Sequence, residues 1–98
     1  MRIFSNDKGR FDYSVKDING AILLVPQFTL FADTSHGRRP EFFSALEPNS
    51  AKILFNQFVE YVKNNSGINT ESGVFGADMK VELLNDGPVT ISFDSEDF

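Results

Sequence analysis
Only one stretch of this chain, Pro48 to Lys63, sets its apolar residues at helical period, with Ala51, Leu54, Phe55, Phe58, Val59 and Val62 on one stripe. Asn49 or Ser50 suits the helix start, Lys63 the negative end of its dipole, and Gly67 lies just beyond as a terminator. A chain of 98 residues has room for one domain and no second core. The single helix must therefore find its cover among strands.

Strand signals flank it on both sides. Ile3-Phe4, the turn residues Asn6 to Gly9, and the alternating Phe11, Tyr13 and Val15 predict a hairpin. After the turn Asp17 to Gly20, the unbroken apolar run Ala21 to Val25 predicts a strand buried on both faces. Val74 to Leu84 and Val89 to Phe93 predict two more, joined through Asn85-Asp86-Gly87-Pro88. There is no internal repeat, and the Asn/Ser/Gly-rich passage Asn64 to Gly67 is short enough for an ordinary loop. The expectation is one mixed α/β domain over residues 1–98, twisted sheets with a packed helix.

Eleven phenylalanines, two tyrosines and no tryptophan give a core built from large pieces, with some aromatic surface left for a partner. The absence of cysteine excludes disulfides, thiolate metal sites and thiol nucleophiles, and fits a reducing cytoplasm. No basic leader precedes an apolar run, and nothing approaches the ~18 apolar residues of a membrane span, so the chain reads as soluble and cytoplasmic, with no membrane partner. A net charge of -5 argues against broad attachment to a nucleic-acid backbone. It leaves room for a local contact, because Arg38 and Arg39 are adjacent while Asp94, Glu96 and Asp97 collect at the other end.

Two passages end apolar runs with a proline beside hydroxyl or amide side chains: Pro26-Gln27-Phe28-Thr29-Leu30 and Asn85-Asp86-Gly87-Pro88-Val89-Thr90. Such strand ends are where sites are usually built. Taken alone, Asn85 to Pro88 also suits a plain turn, and Gln27 a strand-end amide satisfied by backbone. Phe75, Ala77 and Met79 alternate and so share one strand face, as pocket lining or as ordinary core. Arg38 and Arg39 suit either phosphate contacts or a solvated loop. The single histidine, His36, lies in a polar loop, which speaks against a Ser-His-Asp arrangement.

Four blocks, Gln27 to Thr34, Gly37-Arg38-Arg39-Pro40, Phe75-Gly76-Ala77-Asp78-Met79 and Asn85 to Thr90, resemble the D-aminoacyl-tRNA deacylase family in order and interval. The likeness runs from Arg2 almost to the end. It implies a cofactor-free, metal-free homodimer with a cross-subunit active site that meets the aminoacyl-tRNA acceptor end. There it would hydrolyse the ester of a D-amino acid, or of glycine mischarged on the alanine tRNA, as chiral proofreading in translation. Gly87-Pro88 matches the family's cis-proline dipeptide, whose side-by-side carbonyl oxygens suit an α-ammonium group. Phe75, Ala77 and Met79 would line the amino-acid pocket, and Arg38 and Arg39 would bind acceptor-stem phosphates. Thr90 matches a threonine offered as nucleophile, yet a hydroxyl needs an adjacent base and the sequence supplies none. The alternative is assistance from the neighbouring ribose hydroxyl, with Gln27 and the backbone N–H of Phe28 holding the developing oxyanion.

The chain departs from the family pattern twice. Pro26 stands where a serine is usual, which removes a hydroxyl and a backbone N–H and resembles the related deacylase that removes L-alanine. Met1 aligns inside the family pattern, after its first strands and helix and an arginine that braces the proline dipeptide, so the expectation is a shortened relative or a lost or misplaced start. Two rival readings follow, an L-alanyl-tRNA editing deacylase, and a degraded remnant acting at most in dimerisation or weak RNA binding.

Overall fold
The computed structural model describes residues 1–98. Two strands, β1 (Phe4–Ser5) and β2 (Phe11–Tyr13), form the expected hairpin, with Phe4 opposite Tyr13 and an irregularity before Ser5 pairs with Phe11. Its turn is held by Asn6, whose Oδ1 accepts from the N–H groups of Lys8 at 2.9 Å and Arg10 at 3.1 Å. The next turn is closed by a reciprocal pair: Ser14 N–H donates to Asp17 Oδ2 at 2.8 Å and Asp17 N–H to Ser14 Oγ at 3.1 Å. Those bonds, backbone first, hold the Asp17 carboxyl below the ordinary aspartate value.

β3 (Ala21–Leu24) then pairs in parallel with β4 (Asn69–Ser72), in unbroken register from Ala21 opposite Asn69 to Leu24 opposite Ser72. Parallel neighbours need a long crossover. Here it carries the helix α1 (Pro48–Asn65), which packs against β4. Val59 of α1 and Thr70 of β4 are the two buried residues, and the Thr70 hydroxyl is satisfied by the carbonyl of Ile68 at 2.9 Å.

The helix forms where its spacing predicts and runs two residues further. Its cap is Glu47 rather than Asn49 or Ser50: Asn49 N–H donates to Oε1 at 2.9 Å and Ser50 N–H to Oε2 at 3.0 Å. With Pro48 at the first position, the carboxylate one residue earlier is the group that reaches the free N–H groups. The predicted stripe divides. Ala51, Phe55, Val59 and Val62 turn inward, whereas Leu54 and Phe58 stay 59% and 50% exposed.

Two strand expectations fail, each for its own reason. Ala21 to Val25 is not buried on both faces: Ile22 and Leu24 are half-buried, Leu23 and Val25 exposed, because helix cover reaches only one side of the β3–β4 pair. Val74 to Leu84 and Val89 to Phe93 form no ladder, since no other segment of the chain lies alongside to take up their N–H and C=O groups. Gly76 also turns the first of these at φ +78°, and the Ala77 N–H reaches back to the Val74 carbonyl at 3.2 Å.

The molecule is accordingly spread out. Its Cα radius of gyration is 16.2 Å, where about 13 Å is usual for ~100 residues. It exposes 8875 Å2, against roughly 5,600 Å2 expected for a compact monomer of 11.0 kDa. Leu83, Leu84, Ile91 and Phe93 are among the exposed apolar side chains. No helix is long and apolar enough to cross a membrane.

Two measurements test this frame. Val59→Ala removes about two methylene equivalents from the most buried apolar position, so urea unfolding should show a loss of about 1.6 kcal/mol, and an unchanged midpoint would place the core elsewhere. Glu47 is held below the ordinary glutamate value by the N–H groups of Asn49 and then Ser50, which bond its charged form. Its capping contribution is therefore complete above the ordinary glutamate range and is lost as pH falls through the lowered folded value. In Glu47→Gln the helix signal by circular dichroism should melt earlier at neutral pH and lose part of the wild type's acid sensitivity. Superimposable acid curves would remove the cap from the account.

Candidate active site
Past β3 the chain is drawn into a cavity. Gln27 adopts an extended conformation with φ -151° and ψ 95°, and Phe28–Phe31 turn at once into a 3-10 segment. The Gln27 side-chain amide donates to the Thr29 hydroxyl, which fixes the side chain and keeps Oε1 as an acceptor. The partner is thus a side chain two residues on, not the backbone.

The cavity has a volume of about 340 Å3, and Pro26, Gln27, Phe28, Phe42, Phe75 and Gly76 contribute to its walls. The ring of Phe28 meets that of Phe42 edge-on, centroids 5.0 Å apart at 71°. Phe75, on the turn after β4, lies 6.4 Å from Phe55 of α1, and Ala51 of the helix's inner stripe lines the cavity itself. Glu47 also lines the space, with its charge committed to the helix start.

Thus Pro26, Gln27, Phe28 and Phe75 are brought together from sites far apart in the chain. Met79 and Ala77 are not beside them on one strand face, because the turn at Gly76 breaks the alternation. Met79 is half-buried and packs near Gly73 and Pro26, while Ala77 is exposed. Phe42, Ala45 and Leu46 belong to the cavity without having been singled out in the sequence. They lie in the irregular stretch leading into α1, where neither period applies.

A second cavity, of about 330 Å3, holds the other group of candidates. Pro88, Val89 and Thr90 line it with Asn85, Asp86, Ile3 and Phe4 of the first hairpin. The Gly87–Pro88 peptide is cis, with Gly87 at φ +124°. No imidazole serves Thr90: the Nδ1 of His36 bonds the Ser35 hydroxyl at 2.8 Å, and Ser35 Oγ donates to Asp33 Oδ1 at 2.6 Å. In a nucleophilic triad the imidazole stands between the hydroxyl and the carboxylate. Here the hydroxyl stands in the middle. The Ser35 hydroxyl, then its backbone N–H, hold Asp33 below the ordinary aspartate value.

Arg38 and Arg39 occupy the tip of a loop closed by two backbone bonds, Asp33 N–H to Glu41 O at 2.7 Å and Glu41 N–H to Asp33 O at 2.9 Å. Gly37 makes the turn at φ +68°. Both guanidinium groups are free of carboxylate partners, since the one ion pair in the chain joins Arg2 to Asp12 at 3.8 Å. A pinned loop with two open cations offers bidentate donors to an anion.

Comparison with known proteins converges on one family. The family profile for D-Tyr-tRNA(Tyr) deacylase matches residues 1–94. The D-aminoacyl-tRNA deacylase of Chlorobaculum tepidum is 53% identical over 95 residues, which are 97% of this chain and 63% of that protein. That of Aquifex aeolicus is 52% identical over 97 residues, covering 99% and 65%. A solved structure titled c-Myc DNA Unwinding Element Binding Protein superposes with a TM-score of 0.81 at 38% identity, over 96% of this chain and 64% of that one. The chain spans a little under two thirds of the length of these relatives. With residues 1–94 matched by the family profile and relatives more than half identical over nearly the whole chain, the chain belongs to the D-Tyr-tRNA(Tyr) deacylase family.

Proposed function
We propose that this chain acts on the acceptor end of aminoacyl-tRNA in the cytoplasm, hydrolysing the ester of D-amino acids, and of glycine mischarged on the alanine tRNA, without metal or cofactor. The observation that carries this reading is the apolar cavity walled by Phe75 and edged by the fixed Gln27 amide and the turn at Phe28. The terminal ester enters there. Water adds to the ester carbonyl, the Phe28 N–H and the remaining Nε2 hydrogen of Gln27 hold the oxyanion, and the carbonyl–oxygen bond to the ribose breaks. The amino acid leaves as its carboxylate, and the ribose oxygen recovers a proton. The adjacent ribose hydroxyl assists the water, because the protein offers Thr90 no base.

Pro88 and Thr90 line a different cavity from Gln27 and Phe28, which favours an active site completed across a homodimer. A second copy would bring its Gly87-Pro88 carbonyl oxygens to the substrate's α-ammonium. The chain's surface exceeds the compact expectation by roughly 3,300 Å2, against about 800 Å2 per partner in a standard interface. Arg38 and Arg39 then take acceptor-stem phosphates.

Pro26 supports a second reading. It lines the cavity and lacks the N–H that another residue would aim into the site, which favours an editing role on L-alanyl-tRNA. Parallel assays on D-tyrosyl, glycyl and L-alanyl esters decide between them, with D-tyrosine and glycine released faster if the first reading holds. No release of any amino acid by a folded dimer would leave a remnant that associates without catalysis.

Gln27→Ala should slow D-tyrosine release by about 10^2-fold or more, the usual cost of one oxyanion donor. Thr90→Val should stay within about tenfold of wild type, a difference of ~1.4 kcal/mol, and a trapped acyl-threonine would reverse that assignment. Arg38→Ala with Arg39→Ala should raise KM and flatten its log-log salt slope by about 0.9 for each duplex phosphate no longer neutralised, leaving kcat nearly unchanged.

A further inference from the structure
Gly73 is where β4 gives way to the turn that carries Phe75. Its N–H donates to the Leu24 carbonyl at 2.7 Å, one step beyond the last pair of the β3–β4 ladder. Unlike Gly76, it is not among the residues of positive φ, so its backbone is open to any side chain. What demands glycine is space. A Cβ built there would lie 2.8 Å from the Sδ of Met79, 3.5 Å from its Cε and 3.3 Å from the Cδ of Pro26.

The two neighbours differ in how they can respond. A thioether is flexible and can swing aside at small cost. The pyrrolidine ring of Pro26 has a fixed φ and moves only with its backbone. Pro26 forms part of the 340 Å3 cavity and is bonded directly to Gln27, whose amide and whose successor Phe28 face the same space. A displacement at Gly73 is therefore passed to the cavity wall through the ring and the packed thioether.

We propose that Gly73 is a positioning residue: its bare α-carbon seats the Met79 thioether beside Pro26 and thereby sets how wide an aromatic ring the cavity accepts. This rests on the proposed aminoacyl-ester function for its biological meaning, while its physical content concerns the cavity alone. It also gives Met79 a role from outside the cavity, as the packing behind Pro26.

Methionine occurs only at positions 1 and 79, so protein labelled with 13C-methyl methionine gives one reporter at the terminus and one beside Gly73. The probe ligand is p-cresol, the tyrosine side chain without its backbone. In Gly73→Ala the Met79 methyl resonance should shift clearly while the Tm stays within a few degrees of wild type. Affinity for p-cresol should fall severalfold, and adding Met79→Ala should recover most of it. A general packing defect would lower the Tm along with the affinity, and the retained Tm separates it from a shift confined to the cavity wall.

An unmoved Met79 methyl, a shifted methyl with undiminished p-cresol binding, a weakening that Met79→Ala fails to relieve, or a wild type that does not take up p-cresol would each overturn the assignment. A wild type that binds p-cresol but releases no amino acid from charged tRNA would instead sink the deacylation and leave the positioning role intact.

Discussion
The parallel pairing of β3 with β4 is the constraint on which the rest of the molecule depends. Its strands are joined by the whole loop-and-helix crossover, so forming it closes the chain's longest ordered connection, and the α1–β4 contact must offset that entropy. Val59 and Thr70, the two most buried residues, belong to the elements that meet there. Everything of functional interest in the first cavity is tied to this junction. Pro26 to Phe28 leave from the end of β3, Phe75 and Gly76 from the end of β4, and Glu47 from the start of α1. Three element ends converge on one space, the usual way a small α/β unit builds a pocket from loops while keeping its walls fixed.

Sequence pattern revealed those parts whose cause is local. The helix is legible because its inner stripe repeats at 3.6 residues, and the hairpin because Asn6 to Gly9 carries the turn chemistry that the Asn6 side-chain bonds use. Glu47 escaped notice because Asn49 and Ser50 are the commoner cap residues, yet only the residue before Pro48 reaches the open N–H groups. β4 escaped because Asn69-Thr70-Glu71-Ser72 is polar and its strand state comes from pairing with β3. Val74 to Phe93 erred the other way. Its composition favours strand, but strand is a property of two segments, and this one pairs with no other strand of the chain.

The candidate site followed the same division. Gln27, Phe28, Phe75 and Pro88 were legible as motif residues, and the structure sorts them into two spaces that sequence order could not separate. Phe42, Leu46 and Gly73 carry no motif of their own. Their importance arises from contact alone: Phe42 through the edge of Phe28, Gly73 through the room it leaves for Met79. A glycine retained for space, with no positive φ, is invisible to turn-based reading.

Charge is distributed so that the first cavity remains electrostatically mild. Glu47 borders it, yet both carboxylate oxygens face backbone N–H groups at the helix start, where the partial positive charge of the terminus balances them. The open cations stand apart on the pinned loop at Arg38 and Arg39. Such a division suits a reaction in which distant phosphates supply attraction and the reacting group needs orientation more than acid or base. Under the proposed function the ester is already activated, so the wall at Pro26, the Gln27 amide and the backbone N–H of Phe28 would need only to hold its carbonyl in place. Positioning in this cavity is set by packing, and that packing traces back through Gly73 and Phe55 to the β3–α1–β4 junction.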